Sequence, residues 1–129
     1  RAIAYVVKAQ MPEEQSFFDA LEKSGYDVRK KDLQIFVDGT KKADWDVGIA
    51  MDIIKMAPGL DSIILVSGDG DYIPLVEYLK NHGRIVEVAA FRSSASQNLI
   101  EQVDYFLDLE TIEHKVLLKY TGRKTRPKK

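Results

Sequence analysis

The sequence contains no cysteine. Disulfides, thiolate zinc sites and cysteine nucleophiles are thereby excluded, and the chain fits a reducing compartment such as the cytoplasm. Histidine is nearly as scarce. His82 and His114 are too far apart for ligand spacing and read as structural. No apolar run approaches the ~20 residues of a membrane span, and no secretory leader is expected at the start. No internal repeat is visible. What remains is 129 residues, 45% hydrophobic and 30% charged, the balance of one globular domain able to bury a sizeable core. The net charge of −1 hides an asymmetry. Six of the 19 basic residues, and no acid, lie between Lys119 and Lys129, so all 20 acids fall in residues 1–118. The expected organisation is an acidic domain over 1–118 and a basic tail over 119–129. The tail is either an arm for a polyanion or a solvated terminus.

The pattern alternates strand and helix. Ala2 to Val7 reads as a strand. Pro12-Glu13-Glu14 opens a helix, with a proline tolerated in the first turn and acids suited to the helix dipole. Phe17, Phe18 and Leu21 form its apolar face, and Gly25 ends it. Tyr26 to Val37 holds one or two strands, the clearer being Leu33 to Val37. Asp38-Gly39-Thr40 is a turn, followed by Lys41 and Lys42. A second helix is expected from Asp44 to Ala57, apolar over most of its circumference and hence well buried. Ser62 to Val66 is a continuous apolar strand, as in a parallel sheet covered on both faces. After Ser67-Gly-Asp-Gly-Asp71, a helix runs from Tyr72 to His82 and a buried strand from Ile85 to Phe91. A short helix over Ser96 to Val103, a strand over Tyr105 to Leu107 and a final helix over Leu109 to Tyr120 complete the chain. Such alternation implies crossover connections and a mostly parallel sheet.

In that architecture the ligand site lies beyond the carboxyl ends of the strands. Three loops are expected there: Thr40 to Trp45, Ser67 to Asp71 and Arg92 to Ser96. Asp69 and Asp71 give the strongest signal. They stand two apart on a glycine-flanked turn after an apolar strand, where Gly68 and Gly70 permit unusual backbone conformations. Two carboxylates so placed can share a divalent cation. Hard oxygen donors without cysteine favour Mg²⁺ or Mn²⁺ over zinc. The competing reading has Asp71 capping the next helix and Asp69 belonging to the turn. Asp46 joins the pair as a candidate ligand, with Asp44 as helix N-cap; alternatively Asp46 only answers the helix dipole. Asp52 is a further acid, costly within so apolar a helix unless metal-bound or paired, for instance with a lysine. Lys42 can hold a phosphate, and Ser67 and Ser94 can orient a water, a carboxylate or substrate. For each of these three, ordinary loop polarity is the alternative. Trp45 reads as core or as a lip over the site.

Two look-alikes fail. Gly68-Asp-Gly70 is half of a dinucleotide fingerprint, but the third glycine position holds Ile73 and the two acids would repel a pyrophosphate. Asp38-Gly39-Thr40 with the later Gly-Asp-Gly-Asp resembles the haloacid-dehalogenase phosphatases, yet Phe36 stands where their nucleophilic aspartate belongs.

Lys42-Ala-Asp-Trp-Asp46 through Asp52 resembles the lysine and Asp-Val-x4-Asp segment of the NYN domains, in their LabA-like branch. Leu65-Val-Ser-Gly-Asp-Gly-Asp-Tyr-Ile-Pro-Leu75 is similar to their Ser-Gly-Asp-x-Asp-aromatic-x-Pro-Leu block. Gly83 to Phe91 and Ser96 to Asp104 match later segments, with Val103 in place of the usual alanine. The resemblance implies a PIN-like α/β/α sandwich around a mostly parallel sheet. It also implies a pocket in which Asp46, Asp69 and Asp71, with Asp52 as the further acid, bind Mg²⁺ or Mn²⁺ and cleave RNA, single-stranded rather than duplex. The family's first strand, ending in an aspartate, is expected upstream of Arg1. The alternative function is a regulatory or RNA-binding module that does not cut. No membrane partner is expected, and a homo-oligomer is left open.

Overall fold

The computed structural model describes residues 1–118, so the basic tail and the end of the expected last helix lie outside the described residues. The chain is α/β. It divides into two compact units, Arg1–Lys55 and a second that begins at Met56.

The first unit opens with a β-α-β crossover. Strand β1 (Ile3–Lys8) leads through helix α1 (Glu14–Lys23) to β2 (Asp27–Asp32), which pairs with β1 in parallel from Ile3↔Asp27 to Lys8↔Asp32. The Glu14 carboxylate accepts from the amides of Ala9 (3.0 Å) and Gln10 (3.1 Å), tying the incoming loop to the first turn of α1. Gly25 (φ 94°) then supplies the left-handed residue that ends this helix turn. The stretch 26–37 departs from expectation. Its longer strand is the charged β2, and the apolar Leu33–Val37 segment contributes only β3 (Gln34–Ile35). Pairing with β1 outweighs intrinsic apolarity there. β3 forms an antiparallel hairpin with β4 (Lys41–Lys42), so these lysines are strand rather than loop residues. Asp38 builds the turn by accepting from the Thr40 amide (2.9 Å) and hydroxyl (2.7 Å). Those bonds from Thr40 hold the Asp38 carboxyl below its ordinary pKa.

Helix α2 (Asp46–Met56) follows, with Asp44 accepting from the Asp46 amide at 2.7 Å as an N-cap side chain does. It is less buried than its composition predicts. Ile53 is buried, whereas Val47 (77%) and Met51 (45%) are exposed. An all-round apolar helix meets the core here along one stripe only.

The second unit is a three-stranded parallel sheet in the order β5 (Ser62–Val66), β6 (Ile85–Ala90), β7 (Tyr105–Asp108). Helices α3 (Ile73–Asn81) and α4 (Gln97–Gln102) make the crossovers. Leu75, Val76 and Leu79 from α3 and Leu99 from α4 are buried, as are Ile63 and Leu65 from β5 and Val86 and Val88 from β6. β5 is not covered on both faces. Ile64 and Val66 are exposed, as are Tyr105 and Leu107 on the same face of β7. The α3–α4 layer covers one face of this sheet, and β5 therefore alternates between buried and exposed positions. The expected final helix is broken into a 3₁₀ turn (Leu109–Ile112) and a single α-turn, α5 (Glu113–Val116).

Leu79 is 1% exposed and lies at the centre of the second unit's core. Leu79→Ala should cost about 2–5 kcal/mol, while Val47→Ala should stay within about 0.5 kcal/mol. Urea titration followed by circular dichroism checks both; equal costs would refute this placement of the core.

Candidate metal centre

The turn after β5 is built by its own side chains. The Ser67 hydroxyl accepts from the Asp69 amide at 3.2 Å, and Asp69 Oδ1 accepts from the Asp71 amide at 2.9 Å. Asp69 thus caps the 3₁₀ turn Gly70–Tyr72 that leads into α3, with Pro74 in the first helical turn. Both acids are exposed. Asp69 has one carboxylate oxygen committed to the turn, so its orientation is fixed locally. Asp69, rather than Asp71, is the residue whose side chain caps.

The glycines act by what they lack rather than by conformation. Neither Gly68 nor Gly70 has a positive φ. A Cβ on Gly68 would lie 2.8 Å from Ala95 Cα, and one on Gly70 would lie 2.9 Å from Ser96 Oγ. The loop after β6 therefore packs directly on the acid turn, sealed by the Ser96 amide donating to the Gly68 carbonyl at 2.8 Å. That loop is held from its other side as well. The Arg92 amide (3.3 Å) and guanidinium (3.4 Å) reach Asp108, and the Ser93 amide (3.0 Å) and hydroxyl reach Glu110. Burial pushes Asp108 upward, but the Glu110 and Arg92 amides and the Arg92 charge outweigh it and leave its pKa below the ordinary value. Ser94 and Ser67 line a cleft of about 420 Å³ between these segments.

In the first unit, Asp46 is the half-buried first residue of α2. Asp52 is engaged by protein partners. Its Oδ2 accepts from the Tyr5 hydroxyl (2.8 Å) and pairs with Arg29 (2.7 Å). The partner is thus an arginine and a phenol where the sequence pointed to a cation or a lysine. Burial first, and then the bond to Asp52, push the Tyr5 phenol up to about 12. Trp45 is half-buried and packs within the first unit: its indole N–H donates to the Val6 carbonyl (2.9 Å), and its ring packs edge-on against Tyr5 at 5.2 Å. Lys42 is exposed on β4. His82 is structural, its ring Nδ1 lying 2.7 Å from the Tyr78 carbonyl.

A parallel α/β scaffold carrying a Ser-Gly-Asp-x-Asp turn at the carboxyl end of a strand defines the class: the NYN family model matches residues 1–110, and the chain belongs to the NYN-domain family, within the PIN-like nuclease superfamily. It is 30% identical over 106 residues to the low amplitude and bright protein LabA of Synechococcus elongatus, covering 78% of this chain. The chain spans 57% of that relative's length. It also resembles, at 38% identity and a TM-score of 0.77, a Vibrio parahaemolyticus protein of unknown function whose crystal structure is solved. That match covers 84% of this chain and 67% of the other.

Sequence reasoning missed the fastening of the 92–94 loop by Asp108 and Glu110 and the Tyr5–Arg29 embrace of Asp52. Both join residues far apart in sequence, which no local spacing reveals. The Gly68–Ala95 approach had a signal, a glycine with small residues in the facing loop, whose cause was read as conformational instead.

Gly68→Ala forces a Cβ onto backbone and should destabilise the fold by about 1–3 kcal/mol in urea titration; an unchanged midpoint would contradict the close approach. The phenol gives a second test. A folded-state pKa above the unfolded value of ~10 favours the protonated form in the native state. Stability from Tyr5 is therefore complete below pH 10 and is lost as the pH rises through 10 towards 12. Tyr5→Phe should flatten that alkaline loss in melts taken between pH 9 and 12.

Proposed function

We propose that this chain is a metal-dependent ribonuclease module in which Asp46, Asp69 and Asp71 together hold Mg²⁺ or Mn²⁺ beside a scissile RNA phosphodiester. One observation carries the reading: a locally rigid turn at the carboxyl end of β5 presents two exposed aspartates two residues apart. NYN membership supports it, as does Asp46 standing at the start of its helix within the Asp-Val-x4-Asp segment. The donor chemistry fits, because carboxylate oxygens with no thiolate in the chain suit a hard cation. When bound, such an ion supplies a water of lowered pKa and offsets the charge of the phosphate.

The chain's own residues do the rest. Asp69 is oriented by the Asp71 amide, and Ser67 fixes the Asp69 backbone, so the Asp69 carboxylate is already positioned when substrate arrives. Lys42 contributes positive charge towards a phosphate, and the Ser94 hydroxyl contacts substrate from the neighbouring loop. The substrate is single-stranded RNA. Among the described residues, no helix is long and apolar enough to cross a membrane. One observation favours a second reading, an RNA-binding module that does not cut. Asp52, the further acid of the expected set, is already answered by Arg29 and Tyr5, which leaves fewer carboxylates for a cation.

Asp69→Asn separates the two readings. The amide oxygen can still accept from Asp71, so the turn survives while the charge is lost. Cleavage of single-stranded RNA in Mn²⁺ should fall by more than about 100-fold. Absent cleavage by the wild-type protein in either ion would favour the non-cutting module. Independently, Mg²⁺ or Mn²⁺ at about 100 times Kd should stabilise the wild type by about 2.7 kcal/mol and leave the Asp69→Asn/Asp71→Asn variant unmoved. A melt indifferent to both ions would remove the metal centre.

A further inference from the structure

The cleft beside the acid turn has a chemistry of its own. Its apolar lining comes from Ala90, Phe91 and Leu109, and its polar lining from Ser67, Ser94 and Asp69. Its volume of about 420 Å³ lies within the range of small-ligand pockets, roughly 300–1,000 Å³. We propose that this cleft is a nucleobase pocket that seats the base of an RNA strand whose phosphate lies at the acids; the position of the phosphate rests on the function proposed above, whereas the recognition of the base does not.

Charge selects the ligand. Among the described residues, no lysine, arginine or histidine lines the cleft, and the one ionisable group lining it is Asp69. A phosphate entering it would meet that carboxylate and no cation from the described lining. The neighbouring Arg92 is committed elsewhere, 3.4 Å from Asp108 and 4.9 Å from the Phe106 ring centroid. The cleft therefore suits an uncharged group with apolar faces and polar edges, which describes a nucleobase. Recognition of single-stranded RNA characteristically works through such splayed bases, packed on side chains and hydrogen-bonded at their edges. The Ser94 hydroxyl is available for that purpose, because its bond to the Phe91 carbonyl is long at 3.3 Å and is readily exchanged for a base edge.

The pocket is also preformed. Three strands end at it, since Ser67 follows β5, Phe91 follows β6 and Leu109 follows β7. Its loops are fastened to one another by the Ser96–Gly68 bond and the bonds from Arg92 and Ser93 to Asp108 and Glu110. Binding a base there needs little loop ordering, which is the usual cost of recognition by a loop site.

The test is a ¹⁵N NMR titration of the protein with uridine and with adenosine, then with a tetraribonucleotide, and with inorganic phosphate as control. The amides of Ser67, Gly68 and Ser94 should shift saturably with the nucleosides, and the tetranucleotide should bind roughly tenfold tighter or more. Ser94→Leu, which removes part of the polar lining, should weaken nucleoside binding by about tenfold. Mn²⁺-induced broadening at the Asp71 amide reads the metal centre separately. Nucleoside shifts without Mn²⁺ broadening would support the pocket and strike the metal reading alone; broadening without nucleoside shifts would overturn the pocket alone. Equal affinity for nucleoside and tetranucleotide would strike the placement of the phosphate at the acids alone, whereas the same amide shifts from inorganic phosphate would overturn the pocket.

Discussion

The contact between Gly68 and Ala95 is the constraint on which the second unit's functional edge depends. Two backbone segments that follow adjacent strands approach so closely that a single methyl group at position 68 would collide with the facing Cα. The approach brings the Ser96 amide to the Gly68 carbonyl and so pairs two backbone polar groups on half-buried residues. It also fixes the height of the acid turn against the loop after β6. The cleft lies between these two segments, whereas the direction in which Asp69 faces is set within its own turn by the Asp71 amide. Packing this tight leaves little room for compromise, because interiors at close-packed density do not deform gradually.

Much of this was legible in the sequence, and the failures have physical causes. The order of strands and helices followed from hydropathy periods, and the acid turn from glycines beside aspartates. Burial was read less well. Ser62–Val66 has the composition of a strand covered on both faces, yet Ile64 and Val66 are exposed. Composition reports what a strand tolerates, whereas coverage depends on where the crossover helices land. The same reasoning applies to α2, whose apolar circumference meets the core mainly at Ile53. At Asp27–Asp32 the error ran the other way. A strand of Asp-Val-Arg-Lys-Lys-Asp carries little apolar signal and exists because β1 offers it a parallel ladder. Pairing of that kind is non-local and has no signature within the segment.

The candidate site divided along the same line. Side chains that act on their own turn were recoverable, because capping is local chemistry. Asp69 and Asp44 both accept amides two residues ahead, as short acidic side chains do at helix starts. Charges answered across the fold were not recoverable. Asp52 pointed to a cation because an acid in an apolar helix demands one, and the demand was correctly read. The cation proved to be Arg29, 23 residues upstream, with Tyr5 completing the bond set.

The contrast between Asp52 and the turn acids bears on function. A carboxylate that the fold has already paired gives up that pairing if it turns to an external ion, and losing a partner in a partly buried position is costly. Asp69 and Asp71 sit at an exposed turn, and among the described residues neither is held by an ion pair of the kind that holds Asp52. Their mutual repulsion is screened by water in the absence of other charge, so an arriving cation gains their attraction without first breaking an internal bridge. Folding energy is spent on orienting Asp69 through a neutral amide and not on neutralising it. A site arranged in this way keeps its charge in reserve for whatever binds, which is the property a metal centre requires and a structural salt bridge forgoes.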